Sequence, residues 1–70
     1  MSDQAKCTWE AARVNAGLTI NEAADRIGIS HATLINYEKY RTMPQTDIAL
    51  KMCEVYGKSI EFIFLQKRDN

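Results

Sequence analysis

The sequence predicts an all-α domain, a compact five-helix bundle, and three observations carry that expectation. Apolar residues recur at helical spacing along most of the 70 residues, and no stretch of any length alternates with the two-residue period of a strand. Gly17, Gly28 and Gly57 each fall just past such a run, where a helix ends. Thr8, Thr19, Ser30 and Ser59 each stand just before one, where a hydroxyl can cap the first turn. Seventy residues allow a single domain, 1–70. A chain that short buries only about 60% of its unfolded surface, so its core has to be used fully.

Taken in order, residues 1–7 read as a loose N-terminal segment. Thr8 then caps a first helix from Trp9 to about Ala16, with Trp9, Ala12 and Ala16 on one face. Gly17 ends it, and Leu18 folds back toward the core. Thr19 is the next N-cap, and Glu22 three residues on completes a capping box. Ala23, Ala24 and Ile27 form the apolar face of this second helix, and Gly28 stops it. Ser30 caps a third helix whose buried side carries Leu34 and Tyr37. Two helices joined by a three- to four-residue turn containing glycine form a helix-turn-helix arrangement. Its outward face is then His31, Ala32, Ile35, Asn36 and Lys39, and function is to be sought there. A loop of Lys39 to Pro44 leads to a fourth helix, Thr46 to Tyr56, striped by Ala49, Met52, Cys53 and Tyr56. Ile48, Leu50 and Val55 widen that stripe beyond what one core-facing helix needs. Ser59 caps a last short helix, Ile60 to about Leu65, and 66–70 is a polar tail.

Composition narrows the function classes. Nine Lys and Arg balance nine Asp and Glu, so the chain is formally neutral. A nucleic-acid binder of this balance has to gather its few cations on one face. Cys7 and Cys53 are far apart in sequence and match no metal spacing, which fits reduced thiols with Cys53 packed as a small hydrophobe. No secretory leader or membrane span is apparent, so a cytoplasmic location is expected. His31 is the sole histidine and no nucleophile–base set accompanies it, so no enzyme, metal or cofactor is expected.

Arg13, Gly17-Leu18-Thr19, Ala24, Gly28-Ile29-Ser30, Leu34, Tyr37-Glu38, Pro44 and Gly57 with Ser59 occur in one order. That ordered set resembles the phage-repressor and Cro-like (XRE-type) helix-turn-helix family, whose lambda-repressor-like domain is a five-helix bundle. The resemblance spans roughly Trp9 to Leu65. It implies a transcriptional regulator of phage or mobile-element type that binds double-stranded DNA. It implies that Arg13 pairs with Glu38 as a structural ion pair. His31, Ala32 and Asn36, with Ile35 beside them, match the base-reading positions. The chemistry agrees, since Asn pairs in bidentate fashion with adenine and apolar groups touch thymine methyls. Thr19, Lys39, Arg41 and Thr42 match the positions that hold the phosphate backbone.

Two departures open a second reading. The second helix begins with Ile20, where the family carries a glutamine that bonds the DNA backbone. The third helix has no cation before Lys39 and carries Ile35 where a small polar residue is usual. Ile20 and Ile35 together form an apolar patch of the kind that marks protein contacts. The same surface then suits a protein-binding modulator, antirepressor-like, whose partner is a repressor. Phe62 and Leu65, unneeded for the core, suggest a further protein contact, and with the fourth helix a homodimer through helices four and five. Such a dimer places two reading helices about 34–36 Å apart and predicts a palindromic operator.

Overall fold

The computed structural model describes residues 6–63 and residue 65. Four α-helices follow one another: α1 (Trp9–Asn15), α2 (Ile20–Ile27), α3 (His31–Glu38) and α4 (Thr46–Tyr56). The caps follow from local chemistry. The Thr8 hydroxyl accepts from Ala11 N–H at 3.1 Å, and the Ser30 hydroxyl accepts from Thr33 N–H at 3.1 Å. At α2 the capping box is complete, with Thr19 N–H donating to Glu22 Oε1 at 2.9 Å and Glu22 N–H to Thr19 Oγ1 at 3.1 Å. Gly28 closes α2 at φ 92°, a left-handed conformation that glycine adopts without steric cost.

Among the described residues the five-helix count is corrected to four helices and a single 3₁₀ turn, Ile60–Phe62. Ser59 makes no side-chain cap bond there, so the turn lacks the start signal that the other hydroxyl caps supply. A helix of some six residues has too few internal bonds to offset its nucleation cost. Tertiary pairing also draws this segment out of helix. Ile63 is extended, at φ −110° and ψ 133°, and forms an isolated parallel bridge with Cys7. Cys7 N–H donates to the Phe62 carbonyl at 2.8 Å, so the end of the N-terminal segment is tied to the end of the fold. Residues 1–5, Phe64 and the tail 66–70 lie outside the described residues.

The core sits where all four helices meet. α2 packs on α3 and α4, α1 packs on the same two helices, and the 3₁₀ turn closes over α4. Trp9, Leu34, Met52 and Ile63 are its largest fully buried side chains, from α1, α3, α4 and the extended residue after the 3₁₀ turn. Ala23, Ala24 and Ile27 bury the inner face of α2, and Ala49, Met52, Cys53 and Tyr56 that of α4. Ile48 and Val55, surplus to a single stripe, are half-buried against this core. Ala16 leaves its expected face: it is exposed and forms the C-cap of α1. Among the described residues no helix is long and apolar enough to cross a membrane.

Candidate nucleic-acid interface

α3 presents its outer face because Leu34 is fully buried on the opposite one. His31 and Ala32 are exposed in its first turn, Ile35 is exposed one turn on, and Asn36 is half-buried beside it. Thr19 is exposed at the head of α2, and Lys39, Arg41 and Thr42 are exposed at and beyond the end of α3. The start of α2 lies toward the last turn of α3, since Ile20 shares a hollow with Ile35, Glu38 and Lys39. The Thr19 oxygen already accepts from Glu22 N–H, and its O–H remains able to donate.

The aim of α3 is set by α1. Arg13 Nε donates to Glu38 Oε2 at 2.7 Å and Nη2 to Oε1 at 3.4 Å, while Nη1 donates to the Leu18 carbonyl at 2.8 Å. The two side chains are 12% and 8% exposed, so this fork joins α1, the α1–α2 connection and the last turn of α3 away from most solvent. Glu38 holds the Arg13 guanidinium charged, raising its pKa above the ordinary arginine value.

Ile20 and Ile35 share a hollow of about 260 Å³ with Glu10, Arg13, Glu38 and Lys39. Ile20 spends part of its surface on the core, against which it packs half-buried, and Ile35 is 36% exposed. The apolar patch is therefore a narrow lip over the ion pair. A second hollow, of about 440 Å³, is lined by Thr8, Glu10, Glu38, Lys39, Tyr40 and Arg41. Glu10 lines both, which sets an exposed carboxylate beside the cations at the end of α3.

Sequence reasoning missed Glu10 and Tyr40 here. Nothing in the spacing ties the start of α1 to the end of α3. The absence of glycine after Glu38 was the one available signal that α3 ends in an unusual way. Phe62 is half-buried and its carbonyl serves Cys7, whereas Leu65 is 42% exposed. Leu65 lines a hollow of about 240 Å³ with Met43, Pro44, Leu50 and Ile60, away from α3.

Comparison with known proteins agrees with this architecture. The profile of a helix-turn-helix family matches residues 10–63. The chain is 38% identical over 52 residues to the HTH-type transcriptional regulator ImmR of Bacillus subtilis; the match covers 74% of this chain and 41% of that regulator's length. It is 35% identical over 52 residues to an uncharacterized HTH-type transcriptional regulator of Methanocaldococcus jannaschii, covering 74% of this chain and 79% of the relative. A similar regulator of Methanothermobacter thermautotrophicus is 36% identical over 58 residues, covering 81% and 84%. No solved structure matches the chain. With a cap-to-cap helix pair, a largely shielded ion pair behind it and a match over most of its length, the chain belongs to the XRE-type helix-turn-helix family.

Proposed function

We propose that the chain is a sequence-specific DNA-binding regulator of transcription, cytoplasmic and of phage or mobile-element type. The observation that carries this reading is the outer face of α3, where His31, Ala32, Ile35 and Asn36 are carried on one helix, with Lys39, Arg41 and Thr42 exposed at and beyond its end and Thr19 exposed at the head of α2. α3 enters the major groove. Asn36 pairs with adenine, His31 donates to a base or phosphate acceptor, and Ala32 and Ile35 lie against thymine methyls. Thr19, Lys39, Arg41 and Thr42 hold the phosphates and fix the register. The regulators named among its relatives support the same role. Two such domains form a homodimer through the α4 side of the fold, where Met43, Leu50 and Leu65 are exposed. That pairing would double the modest electrostatics of each copy.

Selection of bound sequences from random duplex DNA near physiological salt tests the proposal, with a pull-down run in parallel. Enrichment of a palindrome is the expected result, and absence of any enriched sequence overturns it. The apolar lip formed by Ile20 and Ile35 favours a second reading, a modulator that binds a repressor through this surface. That reading predicts no enrichment together with a co-purifying repressor, and loss of the complex in Ile35→Asp.

A further inference from the structure

Among the described residues one non-glycine has a positive φ: Tyr40, at 59°. It stands two residues after Glu38, at the position where the chain leaves α3. Tyr40 N–H donates to the Tyr37 carbonyl at 3.0 Å, and Arg41 N–H donates to the Asn36 carbonyl at 3.0 Å. These two bonds are the 5→2 and 6→1 pair of a Schellman ending, and Tyr40 occupies its left-handed site. Glycine fits that site without cost, whereas an L side chain there crowds its own carbonyl. A strained residue at such a point calls for something that its side chain does.

The side chain reaches the start of α1. The Tyr40 hydroxyl accepts from Trp9 N–H at 3.3 Å, across 31 residues of sequence. Trp9 is the first residue of α1, so its N–H has no partner inside the helix. Thr8 serves Ala11 N–H, and Tyr40 serves Trp9 N–H. One turn further along α1, Arg13 holds Glu38. The end of α3 is therefore fastened to α1 at two points, Glu38 to Arg13 and Tyr40 to Trp9, with Lys39 between them. The next residues in the chain are Arg41 and Thr42, both exposed.

We propose that Tyr40 is a positioning residue: its hydroxyl bond to Trp9 N–H fixes the left-handed exit from α3 and thereby aims Arg41 and Thr42 at the phosphate backbone. The inference rests on the DNA reading for the identity of what the loop meets, and on geometry alone for the clamp. Tyr40→Phe keeps the ring and removes the acceptor. Tyr40→Gly keeps the left-handed exit, now without strain, and removes the bridge altogether.

The test has two arms on the full chain. In amide hydrogen exchange, Tyr40→Phe is expected to speed exchange about tenfold at Trp9 and measurably at Arg41 and Thr42, with Leu34 and Met52 unchanged. A tenfold change corresponds to one broken bond's worth of opening, about 1.4 kcal/mol. In the second arm, affinity for a duplex taken from the selection is measured against salt. Both variants are expected to flatten the slope of log K against log salt by about 0.9, the share of one phosphate, with base preference retained. A purely structural role for Tyr40 would lower affinity in step with stability and leave the slope alone; that result overturns the proposal. Unchanged exchange at Trp9 and the loop in Tyr40→Phe overturns it as well. A wild-type chain that binds no duplex refutes the DNA reading and with it the aiming role, while the exchange arm still decides whether the clamp exists.

Discussion

Arg13 grips Glu38 with a 2.7 Å bond across α1 and α3 and, with the same guanidinium, the Leu18 carbonyl at 2.8 Å. The pair is mostly shielded from solvent, so the cost of breaking it lies in the charge that is left behind. Arg13→Ala or Glu38→Ala is expected to lower stability by about 3–5 kcal/mol, whereas replacing both with Met and Leu returns most of that. Urea unfolding of the three variants checks this. Single-variant losses below about 1 kcal/mol would mean that water reaches the pair and screens it as at a surface.

Glu22 provides a pH signature of the α2 cap. The Thr19 N–H, donated to its carboxylate, holds its pKa below the ordinary value of 4.5. The folded chain therefore releases this proton more readily than the unfolded one. The stabilisation is present above the ordinary glutamate pKa and is lost as pH falls through the depressed folded value. Carboxyl titration by NMR should place the Glu22 midpoint below 4.5. Thr19→Ala keeps that N–H and removes only the hydroxyl, so the midpoint should stay below 4.5 while about 1 kcal/mol of stability is lost with the cap.

Tyr56 gives the opposite signature at high pH. Its hydroxyl is buried without a hydrogen-bond partner among the described residues, and burial pushes its pKa up to about 12. The folded chain holds this proton more tightly than the unfolded one, whose phenol titrates near the ordinary 10.0. Stability is thus full below that value and declines as pH rises from it toward the folded one. Tyr56→Phe removes both the unpaired hydroxyl and this decline. Its melting temperature should equal or exceed that of wild type at pH 8, and the advantage should grow toward pH 11. Tyr40, raised in the same direction by burial, leaves a smaller alkaline loss in the variant.

On DNA, the two ends of the site separate by their effects. Asn36→Ala should cost about 1–3 kcal/mol and relax preference at one base pair. Arg41→Ala should weaken binding to all duplexes alike and lower the salt slope by about 0.9. Glu10, exposed beside Lys39 and Arg41, should act in reverse: Glu10→Gln tightens binding by about 0.2–1 kcal/mol at low salt. Titration of the selected duplex by fluorescence anisotropy at several salt concentrations checks all three. Equal affinity of Asn36→Ala and wild type would remove α3 as the reading helix.

The sequence by itself determined the four α-helices, the hydroxyl caps that start three of them and the glycine that ends α2. Thr8, Thr19 with Glu22, Ser30 and Gly28 act within three or four residues of themselves, so their chemistry is readable wherever they stand. The periodic apolar residues likewise marked Ala12, Ala24, Leu34 and Met52 as core. Tertiary structure alone decided what depends on distant partners. Residues 60–63 leave helix because Cys7 pairs with Phe62 and Ile63 from the far end of the chain. Ile20 keeps one side on the core, which narrows the apolar lip that its sequence position suggests. Tyr40 accepts a strained backbone while its hydroxyl meets an N–H that lies 31 residues away. A cap is a local bond and leaves a local spelling, but a clamp between two helices takes its energy from contacts that no short stretch of sequence contains.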